Sequence, residues 1–422
     1  MGRNRVVITG LGVCAPNGVG LEAFEHSLAN GTSGIQFHEE LRQLNFSCQI
    51  AGKPNIENID LNNYFTKVQL RGLSASGLIY GTIAGLDAWR DSGLHEKNDE
   101  PDWHSGIVFG TGILGVDKFR EAIYKVDDGE VRRLGSTAVV QTMASGISAY
   151  LGGILGTGNQ VTSNSSACTT GTEAILMGYE RIAAGNAKRM LVGSCSDSGP
   201  YVWGGFDAMR ILPTKFNESP KRGSRPMSAT ASGFVPGSGA GALVLESMES
   251  ALDRCAPIYA ELLGGAVNSG GQRHGGTMTA ANPKAVQYCI RHALENASVK
   301  PADVDAINGH LTATPKDPDE IRNWSTALNR SGKDFPYINS FKGHFGHCLA
   351  ASGSIESVGT VLQLKNDKMY GTLNCEDIHP KILEWVDTSK IPSKTIDFVP
   401  KVIAKASFGF GDVNGCVIFR RF

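Results

Sequence analysis

Short runs of β-branched and other apolar residues recur along the chain. They alternate with stretches whose apolar positions return every three to four residues. In the first part the runs fall at 6–9, 106–109, 190–192 and 242–245, and their unbroken apolarity predicts strands buried on both faces. Between them Ile79, Ile83 and Leu86, and further on Ile175, Tyr179 and Ile182, keep the spacing of one helix face. The second part repeats this grammar, with expected strands at 259–262, 304–308, 403–406 and 416–419. Strands alternating with helices predict an α/β fold. In each part a turn-rich segment leads into a helix at a similar depth, NSSACTTGTEAI in the first and FKGHFGHCLAASGSIESV in the second, so the chain reads as an internal duplication. The charged stretch SMESALDRCAP, ending at Pro257, suits a surface connection and divides the chain into halves 1–256 and 257–422. Polar, proline-containing stretches at 94–104, 313–320 and 375–400 are expected outside the core.

Composition narrows the classes. A chain of 422 residues exceeds the size at which one core keeps growing. With 41% hydrophobic residues, 19% charged residues and 52 glycines it is neither disordered nor fibrous. Forty Lys and Arg against 41 Asp and Glu give a net charge of −1, with no global field for nucleic acid or a membrane surface. An acidic partner would have to be met by a local basic patch. The nine cysteines are odd in number, scattered and never paired as C-x-x-C, which fits a reducing compartment and indicates neither a disulfide framework nor a structural zinc site. The opening MGRNRVVITGLGV is too short in its apolar run for a secretion signal, and no stretch approaches ~18 apolar residues. The expectation is a cytoplasmic protein.

Three residues stand out chemically. Cys168 follows the β-prone 160–162 and precedes a helix starting near Thr170, so its thiol would meet the positive end of a helix dipole, which favours thiolate. The residues alone leave a buried structural cysteine equally open. His310, in Asn308-Gly309-His310-Leu311-Thr312, lies just past a strand end, where α/β folds place ligands. His347, in Lys342-Gly343-His344-Phe345-Gly346-His347, is expected to open the second half's glycine- and alanine-rich helix. Either is also compatible with an ordinary loop histidine, but all three candidates fall at element ends, two of them at equivalent places of a duplication. A zinc site of Cys168, His310, His344 and His347 is disfavoured because no compact ligand spacing anchors it.

The opening VVITGLGVCAPNG, the ACTTG turn, GFVPGSGAGALVLE, the His-x-Thr-x-Thr-Pro loop and the Lys-x4-His segment followed by FGFG occur in that order over essentially the whole chain. Together they resemble the β-ketoacyl-[acyl-carrier-protein] synthases of the elongating type, in the thiolase-like superfamily. The resemblance implies a five-layered αβαβα fold of two similar halves, and a dimer, either of identical chains or with a related chain-length subunit. It implies that Cys168 accepts the acyl chain, that His310 and His347 are the two active-site histidines, and that Lys342 and Glu356 support them. Phe410 matches a gating phenylalanine whose backbone N–H joins that of Cys168 in an oxyanion hole, with Phe408 its neighbour. Ile113, in GTGILGV, matches a position that limits chain length, and Phe206 matches a pocket aromatic, though both also read as plain core. Lys67, Arg71, Arg132, Arg133 and Arg210 are candidates for contacting an acidic carrier protein, though surface charges more often serve solubility alone. No separate cofactor or metal is implied; acyl and malonyl groups arrive as thioesters on phosphopantetheine.

The chemistry accounts for these residue types. Acyl transfer passes through a tetrahedral oxyanion, which two fixed amides stabilise by roughly 3 to 4 kcal/mol per donor. Decarboxylation of a malonyl thioester places enolate charge on the thioester oxygen, which two neutral imidazoles can bind without protonating the carbanion. A non-decarboxylating thiolase would need a second cysteine near 408–412, where there is none, and a non-catalytic chain-length subunit would lack the nucleophile. Departures from the family pattern are Leu311 for a glycine, Asp412-Val413 for Gly-Thr in the gate loop, Asn164 for an apolar residue and Ser238 for an acidic one. They point to a changed pocket and gate, and to a specialised polyene or polyketide-type product as readily as a fatty acid.

Overall fold

In the computed structural model, which describes residues 3–96 and 99–422, every strand expected from an apolar run forms. The first half reads β1 (Val6–Ala15), α1 (Ser76–Asp91), β2 (Ser105–Thr111), α2 (Gly146–Leu155), β3 (Val161–Thr162), α3 (Thr170–Ala183), β4 (Arg189–Ser196) and β5 (Gly239–Ser247). The second reads β6 (Ala260–Ser269), α4 (Pro283–Asn296), β7 (Ala306–Asn308), α5 (Asp317–Leu328), β8 (Tyr337–Asn339), α6 (Ser352–Asn366), β9 (Val402–Gly409) and β10 (Val413–Arg420). The same succession is built twice, with further helices and turns inserted between. The order across the sheet repeats too: β3-β2-β4-β5-β1, then β8-β7-β9-β10-β6. In both halves the first two pairings are parallel and the next two antiparallel. β1 and β6 pair through Val6, Val7 and Ile8, and with the short strand Gly18–Val19 on β1 the halves form one mixed sheet of eleven strands.

Helices make the layers. α1 and α2 cover the outer face of the first half, α4 and α5 that of the second, and α3 and α6 lie between the two sheet regions. The central layer holds the largest core, in which Ile175 and Leu176 of α3 and Ile355, Val358 and Val361 of α6 meet Val192, Leu243, Val417 and Phe419 from the strands. α6 is buried on every side through Leu364, as a helix sandwiched between sheets must be. Each half enters its central helix through a 3-10 turn, Ala167–Thr169 and Leu349–Ala351, whose first residue has φ of +49° and +52° respectively. α3 and α6 cross at Gly171 and Gly353: a Cβ on Gly171 would lie 2.4 Å from the Ser354 nitrogen, and one on Gly353 would lie 2.6 Å from that of Thr172. Only glycine permits that approach.

Two expectations are corrected. The stretch 313–320 is only partly outside: Pro315 and Lys316 are exposed, but Ala313, Asp317 and Glu320 are buried and α5 starts at Asp317, because the two carboxylates take up backbone N–H groups of the preceding loop. Within 375–400, Cys375, Ile382, Val386 and Ile391 are buried; they lie in short turns without the periodicity that marks a core segment. The stretch 94–104 contains two positions outside the described residues and is otherwise largely exposed. Among the described residues, no helix is long and apolar enough to cross a membrane.

Candidate active site

Cys168 sits in the turn that bends the chain from β3 into α3, with its Sγ 3.1 Å from Nε2 of His347. The backbone N–H groups of Phe410 and of Cys168 itself face the sulfur. Burial pushes the thiol up to about 11, against the opposing pull of the Phe410 amide and the Lys342 ammonium.

His347 precedes the 3-10 turn, and α6 opens five residues later at Ser352, so the expectation that His347 itself starts the helix is also corrected. Its backbone N–H donates to Val235 O at 2.8 Å. The Leu349 N–H donates to Nδ1 at 3.2 Å, and Ser352 Oγ lies 2.8 Å from the same nitrogen. With Nδ1 accepting from an amide, Nε2 carries the proton and points it at the sulfur.

His310 ends β7. The loop that follows is held from beneath: Glu320 accepts from the N–H groups of His310 and Leu311, both at 2.7 Å, and Asp317 accepts from Thr312 (3.1 Å), Ala313 (3.2 Å), Thr314 (3.3 Å) and Met227 (2.8 Å). Burial pushes Glu320 up to about 7 and Asp317 up to about 6. The His310 ring stands at 84° to that of His347, with centroids 5.3 Å apart. Cys168, His310 and His347 bring Sγ and one nitrogen each within 4.8 Å of one another; His344 is not in this group. Burial, then the Lys342 charge, holds both imidazoles well below the usual histidine range, so at neutral pH they are uncharged N–H donors.

Behind the histidines, Glu356 of α6 pairs with Lys342 through one oxygen and with Lys405 of β9 at 2.8 Å through the other, all three side chains being buried. Lys405, Ser352, Asp317 and Glu320 escaped the sequence reading. A lysine inside the strand run Val402-Ile403-Ala404-Lys405-Ala406 was the one visible signal, since a buried lysine demands a partner.

A cavity of about 810 Å³ opens onto the three residues and is also lined by Phe206, Phe408 and Phe410. Phe206 packs edge-on against Phe234 (5.5 Å) and Phe410 (6.1 Å), and Phe234 in turn against His347 (5.1 Å). Ile113 lines the cavity but is 53% exposed, so it is not plain core. Of the five basic candidates Arg210 lines the cavity, whereas Lys67, Arg71, Arg132 and Arg133 are exposed away from its lining, with Arg133 paired to Glu130 at 2.5 Å.

Comparison with known proteins identifies the framework. Residues 3–251 match the β-ketoacyl synthase N-terminal domain and residues 259–376 the β-ketoacyl synthase C-terminal domain. The chain belongs to the β-ketoacyl synthase family. This synthase is 32% identical over 423 residues to 3-oxoacyl-[acyl-carrier-protein] synthase 2 of Vibrio harveyi, covering 100% of this chain and 99% of that one. It is 32% identical to the chloroplastic synthase I of Arabidopsis thaliana, covering 100% and 87%. Among solved structures, a β-ketoacyl synthase from Burkholderia phymatum STM815 superposes with a TM-score of 0.88 at 26% identity, covering 99% and 100%. A type II polyketide ketosynthase, solved in complex with its acyl-carrier protein and bound to a hexaketide, superposes with a TM-score of 0.86 at 26% identity and covers 100% of both chains. The synthase thus has the thiolase-like, five-layered fold.

Proposed function

We propose that this synthase condenses an acyl chain, held as a thioester on Cys168, with the two-carbon unit left when malonyl-[acyl-carrier-protein] loses carbon dioxide. The observation that carries the reading is the convergence of one thiol and two uncharged imidazoles within 4.8 Å, beside two amides that face the sulfur. In the first step Cys168 displaces the carrier thiol from the acyl group, and its proton ends on the departing thiol. The amides of Phe410 and Cys168 receive the oxyanion of the tetrahedral intermediate. In the second step the malonyl C–C bond breaks, carbon dioxide leaves, and the N–H groups of His310 and His347 bind the enolate oxygen. The carbanion forms a new C–C bond to the carbonyl carbon of the Cys168 thioester, the C–S bond breaks with its electron pair on the sulfur, which takes up a proton from solvent, and the β-ketoacyl carrier thioester departs. The scheme needs no metal or separate cofactor. Cys416, the nearest candidate for a thiolase's second cysteine, is fully buried in β10, where burial pushes its thiol well up.

The acyl-carrier protein is the proposed partner, as in the related ketosynthase complex, and Arg210 at the cavity, with Lys67, Arg71, Arg132 and Arg133, would meet its acidic face. A second chain of the same fold is proposed to cover the exposed Phe119, Ile123 and Val126 on the helix Val116–Asp127, which are too many on one helix for a solvated face. The halves 1–256 and 257–422 act as the two structural units, and the cytoplasm is the expected compartment. Leu311, packed in the core next to His310, and Asp412, in the loop that bears Phe410, depart from the family pattern and favour a specialised acyl chain.

Mass spectrometry after incubation with an acyl-carrier thioester tests the reading. Cys168→Ala is expected to abolish the covalent adduct, whereas His310→Ala and His347→Ala keep it but lose release of malonyl-derived carbon dioxide by roughly 10²-fold or more. An adduct that persists in Cys168→Ala overturns the nucleophile, and unchanged carbon dioxide release in both histidine variants removes them from the mechanism.

A further inference from the structure

Two lysines, Lys342 and Lys405, are buried behind the histidines, and the condensation scheme assigns a step to neither. Lys405 is fully buried in β9, three residues before Phe408. Its ammonium lies 2.8 Å from Glu356 Oε2 and donates to Ala406 O at 2.5 Å and Ser407 Oγ at 2.7 Å. Ser407 Oγ shares a hydrogen bond of 2.9 Å with Thr172 Oγ1, one turn beyond the nucleophile on α3. On the other side, Glu356 lies one helical turn after Ser352, the residue bonded to His347 Nδ1. A continuous polar chain therefore joins the histidine's helix to the nucleophile's helix, and Lys405 is its middle link. A buried lysine is expensive unless paired. Here two ammonium groups share one carboxylate, so the cluster carries a net positive charge when both are protonated.

We infer that Lys405 is a positioning residue for the reaction: a second buried ammonium which, by sharing Glu356 with Lys342, places excess positive charge behind the two imidazoles and keeps both as uncharged donors toward an anion. The groups facing the imidazoles are Lys342, Lys405 and Glu356 from behind, Glu320 beneath the His310 backbone, and the Cys168 thiol in front. Glu356 and Glu320 act in the opposite sense, but Glu356 is matched by Lys342 and burial favours the neutral form of Glu320. The Lys405 charge is the unmatched remainder. It acts in the same direction on His310 and His347, lowering both.

The inference rests on the proposed condensation only for its functional consequence, and the test separates the two. The variants are Lys405→Met, which keeps the length and removes the charge, and Lys405→Gln, which keeps a donor for Ser407. The first readout is the rate at which diethyl pyrocarbonate modifies His310 and His347, followed by peptide mass mapping from pH 4 to 8; it requires no enzymatic activity. Both variants are expected to move the midpoint of that profile up by about one unit, because each imidazole then takes up a proton more readily. The second readout is carbon dioxide release from malonyl-[acyl-carrier-protein]. Its acidic limb should move up by the same amount while the rate at pH 7 to 8 stays within about twofold of the unmodified enzyme, which loss of packing alone would not allow. Unmoved modification midpoints in a folded Met or Gln variant overturn the inference. Absence of carbon dioxide release in the unmodified enzyme would instead overturn the condensation reading and leave the modification result standing.

Discussion

Leu311 occupies a backbone position where φ is +20°, while its side chain is fully buried in the core of the second half. Glycine would relieve strain of about 1–3 kcal/mol, but deleting a buried leucine costs about 2–5 kcal/mol with its cavity. The second effect wins, so Leu311→Gly is expected to lose about 1–3 kcal/mol of stability, measured from the urea midpoint. His344 gives a prediction with a pH sign. Buried beside Phe341, it is lowered to about 4 from 6.5, with burial the first cause. The unfolded chain therefore binds its proton first: stability is whole above pH 6.5 and declines toward pH 4, by about 3 kcal/mol from this residue. Asp317 and Glu320, raised by burial, slope the other way, so the measurement is the difference in unfolding free energy between the enzyme and His344→Gln across that range. Cys168, His310 and His347 were legible as single residues because their types are scarce and each sits at an element end. Lys405, Ser352, Asp317 and Glu320 were not, because a partner's identity depends on which strands and helices meet, and a lone charged residue reads as solvated until they do.

The gate segment is held as an element. Asp412, at φ +62°, accepts the Gln272 N–H at 3.0 Å and the Asn282 N–H at 2.7 Å through its carboxylate. Its carbonyl accepts from Gly270 at 2.9 Å, and the Gly411 N–H donates to Met278 O at 2.8 Å. The loop bearing Phe410 is thereby laced to the segment 270–282. Asp412→Gly removes two charge-assisted bonds, each worth roughly 1.5–3 kcal/mol, and should speed hydrogen exchange at the Phe410 amide at least ~10-fold, read by mass spectrometry, while exchange in β1 stays unchanged. At this scale the sequence reading did well on strands, whose apolar runs are local, and poorly on 313–320. A loop rich in Thr, Pro and Asp resembles a solvated one until its carboxylates are seen to take up the backbone.

For the whole molecule, the duplication predicted from two turn-rich helix starts appears in the order and sense of the ten strands β1–β10, five in each half. The apolar residues left facing outward on the helix Val116–Asp127 predict a complex: sedimentation should give twice the mass of one chain, and Ile123→Arg with Val126→Arg should halve it. Reading that surface needed coordinates, since an amphipathic helix in sequence does not reveal which side faces a neighbour. The crossing of α3 and α6 at Gly171 and Gly353 has a consequence for the chemistry. α3 continues directly from the turn that carries the thiol, and α6 bears the hydroxyl that steadies the imidazole, so a methyl group at either α-carbon would drive the two helices apart and widen the gap between sulfur and nitrogen. The reactive distance is thus governed by two hydrogen atoms on the backbone, neither of which touches substrate or takes part in making a bond.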